Sequence, residues 1–469
     1  MILPLERMRG LITSARYPRL EEREVRAFQD RRLRALVRHA YENVPFYRSL
    51  YDEHGIGPRA IRGVQDLHRL PITHKRMFQS LPMEQRLARG ADQRRLIVRK
   101  TSGSSGEPLV VGRTWMEERS LGLLRWRAMF NAGYRPADRY AGVLMNHKLQ
   151  RADVQLPLRM LRAVGLLRTE LIDCLQEPRV ILAALRSLDP QVIGGFPGVL
   201  ARVAVLASEI SGRPLRPRLV IAGGETITPL MRKQIEETFA APLFDMYGSI
   251  EFNLLAWQCR ESGVMHTCDD GVITEVLMPN GTAAPARGRG ELVGTNLHSF
   301  AMPFIRYRMA DVVTRGGDRC SCGSPFGSIE SIQGRMVDHF LLPRGRVLHP
   351  WELTTDLVVN PNTVREYQLL QESESRILLR IVPQRSLSEV ELRALREPVE
   401  RILGPEVAFE LRLVDRIPLE VTGKFRTSRS LVRSAYDNFS WQPSGASSTL
   451  PPGSSAIRDA SKELAQPVQ

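Results

Sequence analysis

The chain has 469 residues, 43% of them hydrophobic, with 66 Lys and Arg against 51 Asp and Glu and a formal net charge of +15. That length suits two or three domains around a large packed core. The basic excess is mostly Arg spread along the chain, with no dense basic run interleaved with aromatics, which argues against a nucleic-acid-binding protein. Five cysteines, few and odd in number, argue against a disulfide scaffold and suit a reducing compartment. The start, from Met1 to Arg7, has no apolar run of signal-peptide length. No stretch approaches the ~20 apolar residues of a membrane span, so a soluble cytoplasmic protein is expected.

In chain order, the first predicted element is a helix from Glu21 to Tyr41. Val25, Phe28, Leu33, Leu36, Val37 and Ala40 recur at three- and four-residue spacings, while Arg31, Arg34 and Arg38 fall off that stripe. Asn43-Val44-Pro45 ends it, because the residue before Pro is pushed out of helical geometry. Leu96-Ile97-Val98, Leu109-Val110-Val111, Gln191-Val192-Ile193 and Leu219-Val220-Ile221-Ala222 read as strands. Leu230 to Phe239 reads as a helix, with Pro229 in its first turn and Thr228 as cap. Strands alternating with helices predict an α/β fold, a large N-terminal domain built on β-sheets with flanking helices. Further on, Leu369 to Val382 supplies strand material. Ser388 with Glu391 forms a capping box, its helix stops at Gly404-Pro405, and Val407 to Leu413 alternates as a strand. This predicts a small, mobile α+β C-terminal domain. The expected division is 1–334 for the large domain (helical segment 1–90), 335–435 for the lid, and a disordered tail over 436–469, rich in Pro, Gly, Ser and Ala.

Five segments carry candidate chemistry. Thr101-Ser102-Gly103-Ser104-Ser105-Gly106 lies between two apolar runs and lacks the Lys and following helix of a Walker A loop. Its hydroxyls and backbone N–H groups can wrap a polyphosphate, or it is a plain hairpin loop. Tyr247-Gly248-Ser249-Ile250-Glu251 sets an aromatic, a hydroxyl and a carboxylate on a tight turn, suited to stacking on a base and holding Mg²⁺ against phosphates. Gly223-Gly224-Glu225 ends a strand, the place where α/β folds bind ligands. Arg306-Tyr307-Arg308-Met309-Ala310-Asp311 offers a carboxylate to a ribose diol, or only an Arg–Asp pair. In Gly423-Lys424 a lysine sits on a turn; it matters only if the small domain closes over the large one, where it can neutralise charge on a phosphate.

Cys259 and His266, with six residues between them, precede Cys320 and Cys322. This spacing gives the four N/S ligands of a closed structural Zn²⁺ site. Cys268 can replace one of them, and Cys174 reads as a core thiol.

The order and spacing of these segments resemble the adenylate-forming superfamily of acyl-CoA ligases, luciferases and adenylation domains. The stretch from Arg32 to Tyr47 (including His39-Ala40-Tyr41-Glu42-Asn43-Val44-Pro45-Phe46-Tyr47), Met302-Pro303-Phe304-Ile305-Arg306-Tyr307-Arg308, and Gly334-Arg335-Met336-Val337-Asp338 resemble its phenylacetate-CoA ligase branch, with its capsular-polysaccharide CapK-like and coenzyme F390 synthetase-like relatives. The resemblance covers residues 25–430. It implies ATP and Mg²⁺ as cofactors, a carboxylic acid (aryl or acyl) as substrate, and CoA or a carrier-protein thiol as acceptor. Residues 101–106 would cradle the phosphates and Gly223-Gly224-Glu225 would line the adenine. Tyr247 would stack near the base with Gly248 and Ser249, and Glu251 would bind Mg²⁺. Asp311 would hold the ribose with Arg335 nearby. Lys424, Glu251 and Arg308 would be the catalytic groups, and the acid pocket would include Phe196 and the stretch after Tyr140. Some relatives bind zinc at a pattern like this Cys/His set. Three departures stand out: Glu107 replaces a Lys, Ala310 a Gly, and Val337 a hinge Asp or Lys. The expected function is acyl-AMP formation followed by transfer to a thiol, with a homodimer as one assembly. Delivery of acyl or AMP to an amine or another acceptor, and a degenerate non-catalytic protein, are the competing readings.

Overall fold

The computed structural model describes residues 21–101, 108–145, 162–317, 319–335, 340–348, 350–354, 363–420 and 423–432. The tail expected over 436–469 lies outside them. Helix Glu22–Asn43 buries the apolar stripe named above and exposes Arg31, Arg34 and Arg38. Arg32 is the exception, at 1% exposure. It donates from Nε and Nη2 to the Leu297 carbonyl at 3.1 and 2.7 Å, and its guanidinium lies 4.8 Å from the Phe300 ring centre. A buried cation is tolerated where it is hydrogen-bonded, and this one fastens the helix to the large sheet. Val44 is extended, and Pro45 opens the next helix, Pro45–Glu53.

One eleven-stranded sheet forms the body. Its spatial order is Val272–Leu277, Arg289–Asn296, Tyr307–Arg315, Ser328–Arg335, Met265–Thr267, Ala256–Gln258, Leu243–Tyr247, Leu219–Gly223, Val192–Gly195, Tyr140–Leu144, Thr169–Asp173. The last five are parallel, and helices Pro178–Leu188, Pro197–Glu209 and Pro229–Phe239 connect them as the alternating pattern predicts. Numbered along the chain, these five strands stand in the order 2-1-3-4-5, a doubly wound arrangement whose ligands bind beyond the carboxyl ends of the strands. The remaining strands pair antiparallel, a half that strand–helix alternation did not foretell. Thr228 caps Pro229–Phe239, its hydroxyl accepting from Met231 N at 3.2 Å.

The C-terminal unit has a four-stranded sheet in the order Ala408–Leu413, Arg376–Pro383, Val364–Ser373, Ser428–Ser430. Helix Glu389–Leu403 opens on the Ser388/Glu391 capping box and ends at Gly404. Its Leu395, Val399 and Leu403 pack on Leu369, Ile377, Leu379 and Ile381. Strand Ala408–Leu413 is mostly half-exposed, as an edge strand is, so its apolar alternation overstates its burial. The two units share apolar packing: Val382, Ile417 and Phe425 join the cluster built on the helices of the parallel half.

Candidate active site and Cys/His cluster

Three parallel strands deliver predicted residues to one rim. Val192–Gly195 runs into Phe196, Leu219–Gly223 into Gly224-Glu225, and Leu243–Tyr247 into Gly248-Ser249. The glycines have steric reasons. A Cβ on Gly223 would lie 2.3 Å from the Met246 carbonyl oxygen, and one on Gly248 would lie 2.0 Å from that of Asn253. Gly224 has φ +88°, which favours glycine.

The Tyr247 hydroxyl donates to the Asp311 carboxylate. Glu251, 7% exposed, accepts from the Tyr307 hydroxyl at 3.1 Å, and its carbonyl accepts from Asn296 Nδ2 at 2.8 Å. Arg113 donates to the Ile250 carbonyl and pairs with Glu118, holding the loop before Glu251. Tyr247, Glu251 and Asp311 are thus brought together from distant segments. Arg335 stands opposite Asp311 in the strand register. Ser249 Oγ is buried in this corner with no hydrogen-bond partner among the described residues. Arg308 is engaged elsewhere: its Nε lies 2.9 Å from both Glu291 oxygens and Nη2 at 2.6 Å, with both side chains nearly buried. Thr101 closes its hairpin, donating to the Leu109 carbonyl at 3.0 Å and accepting from Leu109 N at 2.8 Å. Ser102, Gly103, Ser104, Ser105 and Gly106 lie outside the described residues.

Lys424 comes from the small unit to the same rim. It follows Gly423, whose φ is +72°, and its ammonium lies 5.9 Å from the Phe196 ring centre. Glu225 meets it from the large domain, accepting from Phe425 N at 2.7 Å and from Gly198 N at 3.0 Å. Glu225 as a residue is only half-buried, but its carboxyl end is enclosed. Burial pushes that carboxyl up to about 7, against the two N–H groups and then Lys424 and Arg202. A cavity of ≈ 550 Å³ runs along the seam between the units, bordered by Cys174, Arg202, Tyr367 and Phe425. None of the sequence-predicted site residues lines it.

The Cys/His set also assembles. The hairpin of Ala256–Gln258 and Met265–Thr267 presents Cys259 and His266, and the loop before Ser328–Arg335 brings Cys320 and Cys322. Their ligand atoms all lie within 4.8 Å of one another. Cys259 and Cys320 sulfurs are 3.8 Å apart, and His266 Nε2 is 3.2 Å from Cys322 Sγ. Tetrahedral Zn–S bonds of ~2.3 Å put sulfurs ~3.8 Å apart, so this donor set fits zinc. Burial alone would raise the Cys259 thiol, but the Ser262 hydroxyl and the Ser262 and Glu261 N–H groups outweigh it and hold the thiol down to about 6. Cys322 is pushed up to about 12 by burial and by the neighbouring Cys320 and Cys259. A divalent cation bound there would stabilise both thiolates. Cys268 does not replace a ligand: it is fully buried, within reach of Arg127 Nη2 at 3.5 Å and Asp270 Oδ1 at 3.7 Å. Cys174 is the core thiol expected, at 0% exposure.

Residues 340–430 match the family model described as the CapK C-terminal domain. The chain is 29% identical over 409 residues to a phenylacetate-coenzyme A ligase of Thermus thermophilus, covering 83% of this chain and 85% of that one. Along most of its length the chain is similar to phenylacetate-CoA ligases, and its last described unit matches the CapK C-terminal domain. Among solved structures, it resembles 2-hydroxyisobutyryl-CoA ligase in the postadenylation state in complex with 2-HIB-AMP. That likeness has a TM-score of 0.74 at 21% identity over 89% of this chain and 91% of the other. Against the same ligase with 2-HIB-AMP and CoA in the thioesterification state the TM-score is 0.59, at 22% identity over 87% and 90%. The likeness shows that the chain shares the fold of that ligase. Among described residues, no helix is long and apolar enough to cross a membrane.

Sequence reasoning passed over Arg113, Asn296 and Arg202. For Arg202 a signal existed: it is the single charge within the apolar run from Val199 to Ala207 of helix Pro197–Glu209.

Proposed function

We propose that this chain activates a carboxylic acid with ATP as an acyl-adenylate and transfers the acyl group to the thiol of CoA. The carrying observation is the docking of the Gly423-Lys424-Phe425 turn, through Glu225, onto the rim that holds Tyr247, Glu251 and Asp311. In this reading a carboxylate oxygen attacks the α-phosphorus as the bond to pyrophosphate breaks. The Lys424 ammonium neutralises charge gathering there. A thiolate then attacks the acyl carbon and AMP leaves. Asp311 binds the ribose diol, held in place by Tyr247, and the unpartnered Ser249 hydroxyl accepts a hydrogen-bonding ligand group. Glu251 is the carboxylate for Mg²⁺, which usually binds through one or two carboxylates plus substrate phosphates and screens phosphate charge when bound. Arg308, paired with Glu291, orders the strand beside Tyr307 in this reading instead of reaching substrate. Residues 101–106 and Arg335 keep their assigned roles at the phosphates and ribose. Zn²⁺ at Cys259, His266, Cys320 and Cys322 is structural, since four protein ligands leave no open position.

The test is ATP–pyrophosphate exchange with a panel of aryl and acyl acids, followed by CoA added to the best of them. Acid-dependent exchange and a thioester product are expected. Exchange without thioester would point to an amine or carrier-protein acceptor, and no exchange with any acid would refute the reading.

A further inference from the structure

The seam between the units contains a charged clamp that the adenylation chemistry does not itself require. Arg202, on helix Pro197–Glu209, forms a bidentate pair with Glu366 of the small unit at 2.7 and 2.9 Å. Its Nη2 also donates to the Ile417 carbonyl, and its guanidinium lies 5.0 Å from the Phe425 ring centre. The Arg202 and Glu366 side chains are only 18% and 15% exposed. Phe425 directly follows Lys424, and its N–H donates to Glu225 at 2.7 Å. Gly198, one turn before Arg202, lets the turn approach: a Cβ there would lie 2.4 Å from Phe425 Cβ. A second pair, Arg365–Glu209, and Gln234 Nε2 donating to the Arg365 carbonyl at 3.0 Å secure the outer edge.

We infer that Arg202 is a positioning residue: through Glu366, Ile417 and Phe425 it locks the small domain in the pose that aims Lys424 into the adenylation site, and the clamp releases before thioester formation. The inference rests on the proposed two-step reaction. Physically, a bidentate Arg–carboxylate pair fixes orientation as well as distance. Together the three contacts distribute the hold over a strand of the small unit (Glu366), the loop leading to the lysine turn (Ile417) and the residue after Lys424 (Phe425). Removing Arg202 leaves Glu366 half-buried and unpaired, which favours the pose in which water reaches it.

Two readouts test this, one of them independent of activity. Cys174 is fully buried beneath the lysine turn, where a Cβ on Gly423 would lie 2.8 Å from its sulfur. Its alkylation by iodoacetamide, followed by peptide mass spectrometry, therefore reports opening of the seam. Arg202→Ala should speed Cys174 alkylation about tenfold, as local opening becomes cheaper. It should slow acyl-adenylate formation about 10- to 100-fold, the scale of a misplaced catalytic group. Transfer from a preformed acyl-adenylate to CoA should run at or above the native rate. Glu366→Gln, on the other unit, should behave alike, and the swapped pair Arg202→Glu with Glu366→Arg should restore both readouts in part. Unchanged Cys174 alkylation in both single variants, or equal loss in the two half-reactions, overturns the inference. If the native chain shows no exchange with any acid, the functional reading alone fails, and the alkylation rates still decide whether the clamp exists.

Discussion

The Cys/His cluster and the corner proposed for the nucleotide are built on opposite principles. In the cluster, four ligands from one hairpin and one loop lie within 4.8 Å of one another, all from the large domain. In the corner, Tyr247, Glu251 and Asp311 are held by hydrogen bonds and Ser249 Oγ has no described partner, while Lys424 reaches the rim beside Phe196 from another domain. A site that only stabilises can be closed and local. A site that must admit ATP, an acid and a thiol in turn has to be assembled and taken apart. Damage to the first should appear as lost folding, and damage to the second as lost rate.

The largest effect is expected at the cluster. A structural zinc site supplies on the order of 10 kcal/mol of binding free energy, which counts as folding free energy. Cys320→Ser should abolish stoichiometric metal in elemental analysis and lower the melting temperature sharply. The fraction still folded should form acyl-adenylate at near-native rates. A folded Cys320→Ser chain with a large loss of adenylation would break the contrast, placing the cluster in the chemistry. Lys424→Ala is its converse. A positioned cation in a closed site is worth ~3–4 kcal/mol, so acyl-adenylate formation should fall ~10²–10³-fold. The melting temperature should barely move, and transfer from a synthetic acyl-adenylate to CoA should survive. Rapid-quench measurement of both half-reactions checks this, and equal loss in the two would make Lys424 structural.

How far each region was legible follows from the same contrast. Cysteines and a histidine at ligand spacing are rare enough to announce a site, and all four converge. The Gly223-Gly224-Glu225 and Tyr247–Glu251 segments were readable because strand ends and glycine turns leave local marks. What Glu225 touches was not readable. Its link to Phe425 spans 200 residues and joins the two units. The ion pair of Arg308 with Glu291 was hidden likewise, since a strand pattern does not say which acid lies across from an arginine. The antiparallel half of the sheet escaped because its strands vary from three to nine residues and are broken by bulges.

A third, smaller effect concerns what joins the two regions. Asn296 donates to the Glu251 carbonyl and accepts from His298 N at 2.9 Å. His298 donates from Nε2 to the Asp270 carbonyl at 2.9 Å, and Asp270 pairs with Arg127, which lies against Trp257 and Phe326 beside the hairpin of Cys259 and His266. Burial, with Arg32 nearby, lowers the His298 pKa to about 4. The unfolded chain then binds this proton more readily than the folded one. Stability should therefore fall as pH drops from the ordinary histidine range toward 4, by up to ~3 kcal/mol. His298→Gln keeps a donor toward Asp270 and cannot titrate. Urea unfolding from pH 4 to 7 should give a shallower slope for this variant, and an unchanged slope would exclude His298 as a source of acid sensitivity.

The smallest effect tests the backbone beside Asp311, the carboxylate proposed for the ribose. Ala310 has φ 58° inside strand Tyr307–Arg315, next to Asp311 and within the bulge where that strand's register against Arg289–Asn296 shifts. The left-handed region costs an L-residue roughly 1–2 kcal/mol, because Cβ crowds the following carbonyl. Glycine escapes that cost but surrenders more freedom on folding, roughly 0.5–1 kcal/mol. Ala310→Gly should therefore stabilise the chain by only about 0.5 kcal/mol in denaturant titration. The informative result is how that gain divides from function. If the strain merely accompanies the bulge that turns Asp311 toward Tyr247, stability rises and the KM for ATP stays the same. If the kink keeps Asp311 aimed at the ribose against a relaxing strand, glycine frees it, and the KM for ATP rises while stability improves. Destabilisation by glycine would show that the left-handed conformation at Ala310 carries no strain, and that its place in the corner is set by packing alone.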